Sequence, residues 1–188
     1  MLRSIFLVIL VALSASVYAD EFSYNSITAS YSQIDFDNLN ADGDALGING
    51  SAEIGESFFV FGSYSTADVD IADVDTLSAG VGYHMPMSDQ VDFVGSVSYE
   101  YIDVSVPGFG SADDNGFGLG IGLRYQANNE FEINGGIDYV DYSDGGDDTS
   151  FSLGFLYDFA DNFSVGMEGD WSDDATAYGI GVRFYFGN

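Results

Sequence analysis

Apolar residues recur at every second position in ten short segments between residues 22 and 186. The sixth segment shows the pattern most simply, with large side chains on one parity (Phe117, Leu119, Ile121, Leu123, Tyr125) and small or polar ones on the other (Gly118, Gly120, Gly122, Arg124). Such alternation is typical of a β-strand whose two faces meet different surroundings. It predicts strands near residues 22–37, 45–54, 58–66, 76–85, 91–103, 115–126, 130–142, 149–159, 163–172 and 176–186.

The connections between these strands alternate in length. Four are short, at residues 55–57, 86–90, 127–129 and 160–162, and five are mostly longer and rich in Asp, at residues 38–44, 67–75, 104–114, 143–148 and 172–175. Short turns at one end and longer loops at the other are typical of a transmembrane barrel. The sequence therefore predicts an all-β fold, a closed antiparallel up-and-down transmembrane β-barrel with ten strands, or eight if two segments are loops.

Alternation alone does not say which face is inside, because a soluble lipid-carrying barrel shows the same pattern with its apolar face inward. Aromatic residues gather near both ends of the apolar face, as in the interfacial girdles of membrane barrels. Toward the loops these are Tyr31, Tyr64, Tyr99, Tyr101, Tyr139, Trp171 and Tyr178, and toward the turns Phe58, Tyr83, Phe93, Tyr125, Phe131, Tyr157, Phe163 and Phe186. The opposite face is rich in Gly and Ser, which suits a narrow lumen. We therefore expect the apolar face to contact lipid.

The first 19 residues have the features of a secretory signal peptide. Arg3 is followed by an apolar core at residues 5–13 and by Val17, Tyr18 and Ala19, a small-residue cleavage site. The apolar run is shorter than the ~20 residues of a membrane-spanning helix. We expect a cleaved leader at residues 1–19 and a barrel domain at residues 20–188.

The chain is strongly acidic, with 31 Asp and Glu against 3 Lys and Arg, and a net charge of −28. A surface without a basic patch excludes nucleic-acid binding. The absence of cysteine excludes disulfides and thiolate metal sites. Residues 38–43 resemble the start of a calcium loop, but Asn49 stands where an EF-hand has Glu. We expect no cofactor and no metal site, although divalent cations at the acidic loops stay an open alternative to a simply hydrated rim.

The charged residues of the lumen face form the candidate site. The cations of the barrel domain all fall near the turns, where carboxylates of the same face surround them, and buried charges persist only when paired. This lumen charge cluster comprises Arg124, Arg183, His84, Glu53, Asp92, Glu132, Asp158 and Glu168. Its members either form an ionic plug that closes the lumen, with Arg124 beside Glu132 and His84 beside Asp92, or they are separate hydrated pairs.

Farther from the turns, the lumen face carries acids without an opposing base: Glu100, Asp138, Glu168 and Asp170. If a pore exists, it should therefore prefer cations. An enzyme is disfavoured, because the one histidine, His84, lies at the turn end, away from an acid–base site at the outer rim.

Several strand and turn motifs resemble those of small outer-membrane β-barrel proteins, some of them known as sulfation-dependent quorum factor-like. The resemblance is carried by residues 40–43, 47–51, 58–64, 80–84 and 122–125. It implies a location and an architecture, and it lends no catalytic residue. The last strand alternates to Phe186, like the terminal strand that the barrel-assembly machinery recognises.

The sequence thus predicts a monomeric barrel of the bacterial outer membrane with a structural or surface-interaction role, a lumen filled by small and charged side chains, and acidic extracellular loops. The alternative is a narrow cation-preferring pore. The expected partners are outer-membrane lipid and lipopolysaccharide, divalent cations at the loops, and the barrel-assembly machinery during insertion.

Overall fold

The computed structural model describes residues 22–36, 41–70 and 72–187 as one closed antiparallel sheet. Its ten strands are β1 (Ser26–Phe36), β2 (Asp42–Ile54), β3 (Phe58–Val69), β4 (Ala72–Ser88), β5 (Val91–Val106), β6 (Gly110–Asn128), β7 (Phe131–Tyr142), β8 (Gly146–Ala160), β9 (Phe163–Ser172) and β10 (Ala175–Tyr185). Consecutive strands pair, and β1 pairs with β10 to close the barrel. The prediction of ten strands is confirmed, and the eight-strand alternative is wrong. The predicted leader lies outside the described residues.

The two ends of the barrel differ. We call the end that carries the β2–β3, β4–β5, β6–β7 and β8–β9 connections the turn end, and the opposite one the loop end. Toward the loop end the strands run farther than predicted: β4 begins at Ala72 rather than near 76, and β6 at Gly110 rather than near 115. Asp is depleted in strands, so an Asp-rich stretch predicts a loop. Here Asp73 pairs with Ser105 and Asp113 with Asp103, so much of the predicted acidic loop is strand.

The outer face of the sheet is apolar, as the alternation requires. Phe117 is 71% exposed and Leu119 58% exposed, whereas Gly118 between them is buried. Large apolar side chains on the other strands are exposed in the same way. A closed sheet leaves no unpaired edge in the hydrocarbon, so this surface is suited to lipid.

The interior contains two apolar clusters, one at each end. The loop-end cluster consists of Ile34, Phe36, Ala45, Ala67, Val69, Val74, Ile102, Val140, Tyr142, Ala175 and Ala177. The turn-end cluster consists of Tyr24, Phe59 and Val94, with Phe22 and Phe61 packed against it. A lumen filled only by small and charged side chains is therefore an incomplete description, because apolar groups fill both ends.

Glycines on β4 make room for the turn-end rings. The ring of Phe59 lies over Gly82, and that of Phe61 lies over Gly80, each where a Cβ would otherwise project. These two positions let aromatic side chains lie flat against the inner wall. No helix among residues 22–36, 41–70 and 72–187 is long and apolar enough to span a bilayer.

Candidate functional site

The N-terminal segment, residues 22–25, leaves the wall at the turn end instead of continuing β1 as predicted. The Tyr24 N–H donates to Glu53 Oε1 (2.7 Å), and the Asn25 amide donates to Glu53 Oε2 (3.0 Å). The Glu53 N–H donates in return to Asn25 Oδ1 (3.0 Å). Glu53 at the end of β2 therefore holds the segment close to its own side of the barrel.

The side chain of Tyr24 fills the turn end of the lumen and is fully buried. Its ring stacks on Phe59 (centroids 4.5 Å apart) and on His84 (4.3 Å). Its hydroxyl donates to Asp92 Oδ2 (2.7 Å). One side chain thus touches residues of β3, β4 and β5.

Arg124 reaches the same segment from the opposite wall, because β6 is five strands away from β1 in either direction around the barrel. Its guanidinium donates two hydrogen bonds to Glu132, Nε to Oε1 (2.9 Å) and Nη2 to Oε2 (2.7 Å), and Nη1 donates to the carbonyl of Ser23 (3.4 Å). It also lies over the rings of Phe22 (4.6 Å) and Tyr24 (4.9 Å), a cation–π arrangement. The fork geometry and the rings compensate a charge that is fully buried.

His84 and Asp92 also lie together, with Nδ1 3.2 Å from Oδ2. The distance suits an ion pair when the imidazole is protonated, but the two atoms are not aligned as a hydrogen bond. Asp92 Oδ1 has no hydrogen-bond partner in the described part of the chain. The hydroxyl of Tyr24 is therefore the hydrogen-bond donor to this carboxylate, at Oδ2 alone.

Arg183 on β10 and Asp158 on β8 have partners other than Arg124 and Glu132. The Arg183 Nε donates to Thr28 Oγ1 (3.0 Å), while its buried Nη1 has no partner among the residues described. Asp158 instead accepts from the hydroxyl of Ser164, which lies 2.8 Å from the Tyr185 hydroxyl. The sequence placed all these residues in one cluster, but in the described part of the chain no hydrogen bond or ion pair joins Arg183 or Asp158 to Arg124 and Glu132.

Acidic side chains occupy the middle of the lumen between the two apolar clusters. Glu100 accepts hydrogen bonds from Ser78 (2.9 Å) and Ser98 (2.5 Å). Glu168 and Asp170 line a cavity of about 50 Å³ together with Arg183, and Asp138 lines another of about 40 Å³. Cavities of this volume have room for water beside the polar side chains of their lining, since one water needs ~10–15 Å³. Glu168 therefore lines the same cavity as Arg183, and Arg124 does not line it.

Groups of three or more His, Cys, Asp or Glu side chains able to hold a metal ion do not occur within residues 22–36, 41–70 and 72–187.

The two residues that complete the turn-end site, Phe22 and Tyr24, were missed because both were assigned to the first strand. Their parity gave a usable signal, since Tyr24 shares the lumen face with Ser26 and Thr28. A large aromatic side chain on a lumen face that otherwise carries small polar residues indicates that this end of the lumen is filled.

A family profile described as "Outer membrane protein beta-barrel domain" matches residues 5–159. The chain belongs to this family. Its location is accordingly the bacterial outer membrane, and the apolar outer face is the lipid face. No curated protein sequence matches the chain.

Solved structures share the fold at low sequence identity. The beta domain of the Bordetella autotransporter Brka is 12% identical, with 86% of this chain and 99% of that one covered and a TM-score of 0.50. The translocator domain of the autotransporter NalP from Neisseria meningitidis is 13% identical (88% and 90% covered, TM-score 0.49). A KdgM porin is 14% identical (85% and 99% covered, TM-score 0.47). At such identities the likeness extends to the barrel alone.

Proposed function

We propose that this outer-membrane barrel has a closed lumen and a structural or surface-interaction role. The observation that carries the proposal is the contact of Arg124, on one wall, with the N-terminal segment that starts from the opposite wall. Tyr24 lies between Phe59 of β3 and Arg124 of β6. We define the turn-end plug as Phe22, Tyr24, Phe59, His84, Asp92, Arg124 and Glu132. The loop-end cluster closes the other mouth with apolar side chains, which exclude water and ions.

The proposal includes the absence of enzymatic activity. The chain has a single histidine, and its imidazole is stacked on Tyr24 at the turn end. A hydrolytic site at the outer rim would have only carboxylates and hydroxyls with which to transfer protons. The resemblance to quorum factor-like barrels, which we retain as part of this proposal, supplies no catalytic residue either.

A narrow cation-preferring pore is the second candidate. Glu100, Asp138, Glu168 and Asp170 give the middle of the lumen a negative charge, and two small cavities lie beside them. Such a pore would require the turn-end plug and the loop-end cluster to move aside. Its field would favour cations over anions.

The surroundings belong to the same proposal. Exposed carboxylates at the loop end would meet lipopolysaccharide phosphates only through bridging divalent cations, since carboxylate oxygens suit such hard ions. The terminal strand β10 would be presented to the barrel-assembly machinery during insertion. We propose a monomer that binds no nucleic acid.

Planar-bilayer recording of the purified barrel tests the closed lumen. We expect no steady conductance for the native protein, and intermittent channels for the double variant Arg124→Ala/Glu132→Ala, which removes two side chains of the plug together and so leaves neither charge of that pair unpaired. Glu56→Ala, in an exposed turn, is the control that should stay silent. Steady native currents with a cation-selective reversal potential in a salt gradient would reject the closed lumen and establish the pore.

A further inference from the structure

Strand β6 extends beyond its neighbour β7 at the loop end. Pairing with β7 begins only at Gly116, opposite Tyr142, whereas pairing with β5 continues up to Gly110. The stretch from Gly110 to Asp114 is therefore paired on one side only. Ladder hydrogen bonds alternate between the two sides of a strand.

The alternation identifies which backbone groups are free. The Asn115 carbonyl accepts from the Ser143 N–H (2.9 Å), so Asn115 faces the β7 side. Ser111 and Asp113 have the same parity and face the same way. In the described part of the chain no strand pairs with them there. Each offers an N–H and a carbonyl to solvent.

The departure of β7 is fixed by a side chain. Asp114 Oδ1 accepts from the Asn115 N–H (2.7 Å), where the next β7 residue would otherwise pair. The same carboxylate accepts from the Asp144 N–H (3.1 Å to Oδ2), which holds the β7–β8 turn below the overhang. The free edge is thus a built feature of this hairpin and not a frayed end.

The tip of the hairpin presents an aromatic ring. Residues 106–109 form a turn in which Pro107 is followed by Gly108 at φ +84°, and the Phe109 N–H donates to the Val106 carbonyl (2.9 Å). Pro then Gly with positive φ is the sequence a type II turn favours. The side chain of Phe109 is 92% exposed. A large apolar group held in water at a fixed place is suited to contact a partner.

Charge decides which partner fits this edge. Asp113, Asp141 and Asp144 are exposed around it, while both arginines of the described residues are buried. A second copy of this chain would bring the same carboxylates and be repelled. An extended segment with Lys or Arg side chains would be attracted, and its backbone would satisfy the free groups.

We infer that the β6 edge between Gly110 and Asp114 receives a cationic, extended segment of another polypeptide as an additional β-strand, with Phe109 as its apolar anchor. The inference rests on the proposed surface-interaction role and names the partner class for it. Main-chain hydrogen bonds give the affinity, and the acidic surroundings select the sign of the charge.

The test uses a short peptide of alternating Lys and Val as the probe, and the whole barrel in detergent micelles. Binding is followed by fluorescence anisotropy, and amide hydrogen exchange locates the site. We expect protection of the Ser111 and Asp113 amides. Methylation of alternate peptide nitrogens keeps the charge but removes the donors, and should weaken binding about tenfold or more, since each of the lost hydrogen bonds contributes roughly a factor of five.

Ser111→Pro makes the matching change in the barrel. Proline is tolerated on an edge whose N–H faces solvent, so the pairing with β5 should persist. We expect roughly fivefold weaker binding for Ser111→Pro, which loses one donor, and unchanged binding for Ser111→Thr, which keeps the N–H. The heat-dependent gel mobility of each variant checks its folding. If Ser111→Pro fails to fold, the methylated peptide still decides the question.

Equal affinity of the methylated and unmethylated peptides, or protection of amides elsewhere, would overturn the inference and leave only attraction between charges. That result would leave the proposal of a closed lumen unaffected, because the bilayer recordings test that proposal separately. Conversely, steady native conductance combined with protection of Ser111 and Asp113 would reject the closed lumen and keep the strand-addition site.

Discussion

The guanidinium of Arg124 and the carboxylate of Glu132 meet in parallel, Nε to Oε1 at 2.9 Å and Nη2 to Oε2 at 2.7 Å, inside the barrel. Arg124 is fully buried and Glu132 is 3% exposed. The two residues are not directly opposite in the ladder, because Glu132 pairs with Gln126 and Arg124 with Asn134. The contact is diagonal, within reach of two long side chains. It fixes where the guanidinium meets the N-terminal segment.

Glu132→Gln should destabilise the barrel strongly. The substitution keeps the size of the side chain but leaves Arg124 as a buried charge without an anion, which costs about 3–5 kcal/mol in comparable pairs. Urea unfolding in detergent, followed by tryptophan fluorescence, measures the loss. Glu130→Gln, in the exposed turn beside it, is the control and should change the midpoint little. Replacing both partners by apolar residues, Arg124→Met/Glu132→Leu, should recover part of the loss. Equal midpoints for Glu132→Gln and the native chain would contradict this account.

Tyr24→Phe should reduce stability by removing one donor from a buried carboxylate. The hydroxyl of Tyr24 donates to Asp92 Oδ2 at 2.7 Å, and Asp92 is fully buried. Leaving such an acceptor unsatisfied costs about 1–3 kcal/mol. Tyr31→Phe is a matched control, because its hydroxyl also donates to a carboxylate, Asp44 (2.5 Å), but on the exposed face. The same unfolding experiment compares the two, and similar small losses for both would show that the Tyr24 hydroxyl is not needed.

The strands were predictable because lipid imposes one requirement along each of them. A side chain such as Leu119 or Ile121 must be apolar on one parity, and the register is then fixed to the residue. The outer strand extensions were not predictable in this way. Above the lipid the outer face is hydrated, so Asp73 and Asp113 stand on the parity that is apolar within the membrane, and the pairing of the backbone shows that they are strand.

The filled lumen was only partly predictable. The proximity of Arg124 to Glu132 follows from the tight turn between β6 and β7. The loop-end cluster was missed, although the sequence holds a signal for it: Tyr101 with Ile102, and Tyr139 with Val140, are adjacent apolar pairs that break the alternation. The second member of each pair points inward and is buried. The path of residues 22–25 depends on contacts with β2, β5 and β6, which no local pattern encodes.

Ile34→Ala should reveal the contribution of the loop-end cluster. Ile34 is 1% exposed and packs inside the barrel, so truncation leaves a cavity among side chains that have little freedom to collapse. Such substitutions cost about 2–5 kcal/mol. Ile180→Ala removes the same atoms from the lipid face, where Ile180 is 62% exposed and lipid or detergent fills the space. We expect a clearly larger loss of unfolding free energy for Ile34→Ala. Equal losses would mean that the loop-end cluster is not packed.

Trp171 reports directly whether the apolar face meets lipid. It is the only tryptophan of the chain, and its ring lies between those of Phe151 (5.8 Å) and Tyr178 (6.0 Å) on the outer face. Tryptophan favours the boundary between hydrocarbon and headgroups. In vesicles of brominated lipid we therefore expect strong quenching, greatest for bromine atoms near the carbonyl end of the acyl chains, and weak quenching by iodide.

A tryptophan moved to the lumen supplies the control for that measurement. In the Trp171→Phe background, Phe61→Trp places the indole inside the turn end, where neither lipid nor iodide should reach it. If instead the native Trp171 were open to iodide and insensitive to brominated lipid, the outer face would be in water. The packing of the sheet would then have to be explained without a membrane, because more than thirty large apolar side chains would stand exposed to solvent.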